Sequence, residues 1–388
     1  MAAYDAPAIL AGLRDLHSAI TGRADEIEAA RHLPADIAET LARVGAFKLC
    51  VPREIGGAEG TALELMTAIE EMSRADGATG WCLMIGATSG LTAAYLRPEV
   101  AREIHGDPMT ITGGIFTPRG KAVRDGADYI VNGVWQWASG SSHCRWMKGG
   151  CIVYENGKPR MIRDGVPEIR TMYFPRDAIR LHDNWYSSGL CGSGSCDMSV
   201  ENLRVPDAHT LSMTADRPFS DGPLYRFPLF GLLAVGCAAV ALGIGRGAIE
   251  DIRDLAGAKT PALSRRTLAE RAQVQADIAK AEAQLASARA WLVEEIGRAW
   301  QAALRGDAIP LDRRSALRLA STHAVDASVR ATDLCYTLGG GTSVYRASPL
   351  QRRFRDIHVI TQHMMVAAPT YELAGRILLG LPVDEGMV

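Results

Sequence analysis

The segment LGGGTSVYRASPLQRRFRDIHVITQHMM, Leu338 to Met365, runs from a glycine-rich turn through an Arg355-Asp356 pair to His363 and Met364. His363 carries an imidazole, whose ordinary pKa lies near neutrality, whereas the thioether beside it cannot take a proton. His358 stands five residues earlier. On a helix it falls off the face of His363, so the two are not expected to share a metal. Glu372, eight residues past Met364, reads as a helix-surface residue.

Upstream of this segment the chain reads as helical from about Phe230. Thr267 to Arg305 contains no Pro and no Gly before Gly297, and Leu268, Val274, Ile278, Ala281, Leu285, Ala288 and Leu292 form a sustained apolar stripe. That pattern predicts a long helix packed in a bundle, with a subunit interface as one setting for it. Leu229 to Ile244 is uncharged but shorter than a membrane span requires, so a buried core helix is expected. Gly243-Ile244-Gly245-Arg246-Gly247 follows a helix rather than a strand, which favours close helix packing over a dinucleotide fingerprint.

From Met109 to about Arg226 the runs MTITGGIF, ADYIVNGVWQWAS, GGCIVYE, EIRTMYF and CDMSVENLRVP alternate with period two. They predict a compact antiparallel β barrel or sandwich. Residues from about 6 to 106 read as helices again. Ile9, Leu10, Leu13, Leu16 and Ile20 recur at helical spacing, and Pro34 fits the first position of the next helix. Ala62 to Ala75 is amphipathic, and Gly80 to Tyr95 is apolar almost all round. The expected division is therefore 1–108 helical, 109–226 β and 227–388 a helical bundle.

The bulk numbers exclude several classes of function. A chain of 388 residues with 47% hydrophobic and 22% charged residues is ordinary for a folded globular protein. A net charge of −2 leaves no electrostatic footprint for nucleic acid or an anionic membrane. The opening MAAYDAPAILAGLRDL lacks the basic start and long apolar run of a signal peptide. The eight cysteines form no CxxC pair, so reduced thiols in a cytoplasmic protein are expected and a structural zinc is not.

The order of helices, β region and helical bundle, with four motifs in sequence, resembles the acyl-CoA dehydrogenase superfamily over essentially the whole chain. The motifs are VGAFKLCVPREIGG, DGADYIVNGVWQWASG, VENLRVP and the Gly-rich to Arg355-Asp356 segment. The resemblance implies the fold of that family: a mainly α protein with a central β domain and a C-terminal four-helix bundle. It also implies a flavin. Trp137 would pack on the isoalloxazine ring and Ser139 would place its hydroxyl near N5. Phe116 and Thr117 would meet the pyrimidine edge. A hydroxyl suits N5, because it can accept from the reduced N–H and donate to the oxidised nitrogen. Period two also puts Trp135, Trp137 and Ser139 on one face of a strand, so burial alone would account for the tryptophans.

In the dehydrogenases the resemblance puts the catalytic glutamate at Met364, and the alternative position of that base at Leu233. Neither residue here takes a proton, so dehydrogenation of an acyl thioester is not expected. His363 and the run Trp185, Gly189-Leu190-Cys191-Gly192-Ser193-Gly194-Ser195 resemble instead the flavin-dependent monooxygenase branch of the same superfamily. That branch uses reduced flavin and O2, through a C4a-hydroperoxyflavin, to oxygenate a small aromatic or heteroatom-containing substrate. His363 would then deprotonate a phenol or guard the peroxide's proton, Ser139 would hold the N5 hydrogen, and Trp81, Trp185 and Met364 would line a dry pocket.

The Arg-x-x-Phe-Gly of dehydrogenases that retain FAD is absent, and Tyr336 replaces their usual Gln. Reduced flavin, FMN or FAD, delivered by a separate NAD(P)H-flavin reductase is therefore the expected arrangement, in a homotetramer. Lys259, Arg265 and Arg266 could bind its phosphate or form a solvated basic face. Two other readings stay open at this point: an FAD-bound dehydrogenase or oxidase with a base other than glutamate, and a non-catalytic family member.

Overall fold

The computed structural model describes residues 4–388; Met1 to Ala3, part of the opening segment read above for a signal peptide, lie outside the described residues. Six helices come first: α1 (Ala6–Thr21), α2 (Ala24–Ala30), α3 (Ala35–Arg43), α4 (Ala62–Ala75), α5 (Gly77–Ser89) and α6 (Pro98–His105). Thr61 opens α4 with a capping box, its hydroxyl accepting the Glu64 N–H while the Glu64 carboxylate accepts the Thr61 N–H. Asp76 closes α4 and caps α5 through the Thr79 N–H and hydroxyl. The helix expected at Gly80 to Tyr95 is α5 followed by a 3₁₀ stretch, Gly90–Tyr95.

The strands are β1 (Thr112–Asp125), β2 (Asp128–Trp135), β3 (Trp146–Glu155), β4 (Lys158–Pro159), β5 (Met161–Arg163), β6 (Val166–Pro167), β7 (Ile169–Pro175), β8 (Arg180–His182), β9 (Asp197–Pro206) and β10 (Thr210–Leu211). The main sheet runs β10-β7-β3-β1-β2-β9-β8. It corrects the expectation of a purely antiparallel sheet, because β1 and β3 pair in parallel. The cause is that antiparallel β2 carries the chain back toward the starting end of β1, and the 136–145 loop then crosses to the other edge of β1, where β3 begins. A parallel neighbour requires such a crossover.

The C-terminal part holds α7 (Pro223–Arg226), α8 (Leu229–Ala258), α9 (Ala272–Arg305), α10 (Leu311–Gly339), α11 (Pro349–Ile360) and α12 (Pro369–Leu378). The long helix predicted from Thr267 begins at Ala272. Thr267 is held back in a turn by Glu270, and Leu268 gives its N–H to the Lys259 carbonyl. The apolar window read as too short for a membrane belongs to α8, whose 30 residues are long and apolar enough to cross one; 78% of the most apolar 18-residue stretch of α8 is buried within the protein. Gly243, Gly245 and Gly247 lie inside α8 rather than after a helix. Their bare faces admit Ser73, Leu285 and the Arg353 guanidinium, the close packing their spacing predicted.

Candidate active site

The site grows from an early strand ending. β2 stops at Trp135, which is fully buried and donates its indole N–H to the Gly150 carbonyl at 2.8 Å. Trp137, two residues on, adopts a left-handed φ of 63° and stands 65% exposed. The two tryptophans therefore do not share a face, contrary to the period-two expectation, because the strand no longer exists at Trp137. A bulky residue at positive φ costs energy that the surroundings must over-determine, and such strain gathers at ligand sites.

The chain turns inward again at once, and Ser139 is 5% exposed. Its oxygen accepts the Trp81 indole N–H at 2.9 Å and lies 2.7 Å from the Ser195 hydroxyl, which is 2.7 Å from that of Ser193. Since Trp81 can only donate, Ser139 keeps one hydrogen and one lone pair to divide between Ser195 and a newcomer. With the serine chain polarised toward it, Ser139 donates outward; with the chain reversed, it accepts. This is the behaviour a flavin N5 demands in its two redox states. Exposed Trp137 beside buried Ser139 offers a ring an apolar platform and a single reversible hydrogen-bonding group, so these residues fit a flavin.

The turn that carries Ser193 and Ser195 is fixed from behind by the Arg355-Asp356 pair. Arg355 reaches Glu28 and the Ser188 carbonyl at 2.8 and 2.9 Å. Asp356 is buried, and its carboxylate accepts the Leu190 N–H at 2.6 Å. Burial first, then neighbouring Asp76, push Asp356 up to about 7. Gly189 must be glycine, since a Cβ there would overlap the Arg355 carbonyl. Half-buried Trp185 gives its N–H to the Leu190 and Cys191 carbonyls at 3.2 and 3.1 Å, and so braces this same turn.

His363 sits in the turn after α11. Its ring meets Trp81 edge to face at 5.3 Å between centroids, and its Nδ1 lies 3.3 Å from the Cys237 sulfur on α8. Burial, and then the positive charge of Arg318, push the imidazole down to about 4. The near-neutral value assumed from the sequence is thereby corrected: His363 is uncharged at pH 7. Met364 is 57% exposed.

Beyond His363 the walls are apolar. Ile85 is the one residue of α5 that is not buried, and Leu233 holds the same distinction between Gly231 and Gly245 of α8. Each lies one helical turn from the contact of Trp81, His363 and Cys237. Met84 packs on Gly236 and Leu91 lies near Leu229 and Leu232, so the two helices run antiparallel.

Phe116 and Thr117 fall where the β1–β3 pairing breaks, between Ile115 and Gly120. Phe116 is half-buried, with the Lys148 ammonium 5.3 Å from its ring centre; Thr117 is exposed. The remaining expected cofactor contacts are not brought to this place. Lys259 donates to the Gly339 carbonyl at 2.7 Å, and Arg265 is exposed in the loop that follows α8. Lys259 ends the helix on which Cys237 sits, 22 residues away, or about 33 Å at the rise of an α-helix.

Cys237, Ser193, Ser195 and Arg318 were not among the expected site residues. The serines stand in the quoted Gly-Ser-Gly-Ser run, and Cys237 lies one turn past Leu233, the alternative base position. No motif marks Arg318.

Comparison with known proteins gives the family. Residues 11–98 match the family model "Acyl-CoA dehydrogenase, N-terminal domain" and residues 235–368 match "Acyl-CoA dehydrogenase, C-terminal domain". The chain is 34% identical over 375 residues to indole-3-acetate monooxygenase of Pseudomonas putida, covering 96% of this chain and 92% of the relative. The chain belongs to the flavin-dependent monooxygenase branch of the acyl-CoA dehydrogenase superfamily. A second relative in that branch is the flavin-dependent monooxygenase oxygenase subunit HsaA of Mycobacterium tuberculosis, 27% identical over 397 residues and covering 99% and 98% of the two chains. The crystal structure of the HsaA monooxygenase from M. tuberculosis superposes with a TM-score of 0.88 over 99% of this chain and 100% of that one, at 26% identity. Membership makes the chain a flavin-dependent oxidoreductase on the fold the sequence resembles.

Proposed function

We propose that this protein is the oxygenase component of a two-component system, receiving reduced FMN or FAD from a separate NAD(P)H-flavin reductase and oxygenating a small aromatic substrate in the cleft beside His363. The observation that carries the reading is a single connected unit. His363 packs on Trp81, Trp81 holds Ser139, and Ser139 joins Ser195 and Ser193. One end of that unit can address a flavin N5 and the other a substrate, with Trp81 fixing their separation.

Bound reduced flavin would supply two electrons to O2, one of whose oxygen atoms would pass to the substrate while the other leaves as water. The protein's part is to seat the ring on Trp137, with Phe116 and Thr117 at its pyrimidine edge, to hold the N5 hydrogen at Ser139, and to keep water out with Trp81 and the apolar walls at Ile85 and Leu233. Exposed Met364, next to His363, would border the substrate, and Trp185 contributes by bracing the serine turn. Lys259 and Arg265 would reach a flavin only from a second copy, which accords with a homotetramer. The family relation to enzymes named for indole-3-acetate makes a ring of that size the first substrate to try.

The test is to load the protein with chemically reduced FMN or FAD, mix it with ¹⁸O2 and indole-3-acetate or a panel of phenols and indoles, and follow product mass alongside hydrogen peroxide. Incorporation of one labelled oxygen supports the proposal. Peroxide alone with every ring, or anaerobic bleaching of bound oxidised FAD by an acyl-CoA, overturns it.

A further inference from the structure

His363 can serve as a base through Nε2 only if its proton rests on Nδ1. The surroundings of Nδ1 argue against that arrangement. The Met365 backbone N–H points at Nδ1 at 3.4 Å, and a backbone amide can only donate. The Cys237 thiol lies 3.3 Å from the same nitrogen. Burial pushes that thiol up to about 12, so it keeps its hydrogen and has it to give. Two donors therefore converge on Nδ1, and a proton placed there would face both.

Protonating both nitrogens is opposed as well. The ring is largely surrounded by protein, and Arg318 of α10 adds a like charge, its guanidinium bonded to the Met365 carbonyl at 3.1 Å. The titratable groups facing the ring are thus Cys237 and Arg318, and neither favours an imidazolium. Nε2, on the opposite edge, has no hydrogen-bond partner among the described residues.

We infer that Cys237 is a positioning residue that fixes His363 as the neutral Nε2–H tautomer, so that His363 acts in the cleft as a hydrogen-bond donor and not as a base. The inference rests on the oxygenase reading for what Nε2 addresses, namely an oxygen atom presented between flavin and substrate. It also deepens that reading. A site whose histidine cannot remove a proton has no need of a phenol, and the neutral walls at Ile85 and Leu233 supply no other base. The substrate class that follows is an aromatic ring activated without ionisation, such as an indole.

The first measurement needs no flavin. Two-bond ¹⁵N–¹H correlation spectra of the ¹⁵N-histidine protein, with His363→Gln used to assign the signal among nine histidines, report which ring nitrogen carries hydrogen. We expect Nε2–H at pH 7. Cys237→Ser, which keeps a donor, should preserve it, while Cys237→Val should shift the tautomer ratio by about fivefold, the worth of one hydrogen bond. In the flavin-loaded enzyme the ratio of product to peroxide should fall in Cys237→Val and return in Cys237→Ser. A wild-type proton on Nδ1, or a Cys237→Val protein with unchanged tautomer and unchanged coupling, overturns the inference. Locked Nε2–H with no oxygenated product from any ring would leave the tautomer standing and remove the oxygenase reading instead.

Discussion

The two ends of α5 each hold buried charge, and they put it to different uses. At the N-terminal end Asp76 caps the helix and Asp356 lies against Gly77, an acidic pair where the helix dipole is positive. At the C-terminal end the buried Lys148 ammonium donates to the Ser89 carbonyl at 3.2 Å and to the Ser89 hydroxyl, a base where the dipole is negative. Both are pushed to about 7, Asp356 upward and Lys148 downward, with burial the leading cause in each. The partners differ. The acid end grips Leu190 and through it the turn of Ser193 and Ser195, whereas the base end joins Thr92, Tyr173 and His105 under the sheet. One end positions the site and the other seals a seam between helices and strands.

The acid end is most readily undone at Gly189. In Gly189→Ala the new methyl must displace the Arg355 carbonyl or carry the turn away from Asp356. Leu190 then loses its acceptor and the serines lose their register with Ser139. A loss of about 3 kcal/mol in urea unfolding is expected, combining overpacking with an unmet buried N–H. Wild-type stability in this variant would mean that the acid end does not hold the turn.

Asp356→Asn is the next sharper test, because it keeps the oxygen that accepts from Leu190 and removes only the charge. A carboxyl raised to about 7 in the folded state binds its proton more tightly there than in the unfolded chain. Its contribution is therefore most favourable below pH 4 and declines as pH rises through 7. Relative to Asp356→Asn, the wild type should lose about 2 kcal/mol between pH 5 and pH 8, a figure set by part of the interval between the two pKa values. Parallel stability curves for the two proteins would remove Asp356 as a buried titrating group.

What could be read in the sequence follows the same division. The element order was legible because it rests on local signals, hydrophobic period and glycine breaks, whereas the Gly-Ser-Gly-Ser run showed a family resemblance and not the roles of Ser193 and Ser195. The fate of Trp137 was not legible. Nothing in NGVWQWAS marks where the ladder ends, and that ending is set by β9 and by the Cys196 carbonyl that accepts the Ala138 N–H. The parallel β1–β3 pairing escaped for a related reason, since period two is common to both pairings. Cys237 and Arg318 were invisible because they meet His363 across 126 and 45 residues of chain, on helices whose stripes read only as apolar or mixed. The imidazole's lowered pKa depends on those two contacts and on burial, so no reading of ITQHMM alone could supply it.

The smallest expected effect lies at the base end and has the opposite sign in pH. Lys148 is lowered from 10.5 to about 7 when folded, so between those values the unfolded chain holds a proton that the folded one has released. The burial penalty is complete below pH 7 and fades as pH rises toward 10. Lys148→Met keeps the stem that passes Gly114 and removes the ammonium that faces the Phe116 ring. It should be more stable than wild type at pH 6 by about 1 kcal/mol, an advantage that is cancelled and reversed by pH 9, because about two pH units of linkage return more than that to the wild type. Because Ser89 and Thr92 hold the group in place of a carboxylate, no ion pair is lost in the exchange. The oxygenation of any accepted ring should be little changed, since Lys148 has no hydrogen bond to Trp81, Ser139 or His363 among the described residues. An advantage that grew with pH would place the group's ionisation elsewhere, and a collapse of product coupling at full stability would move the base end from the seam into the site.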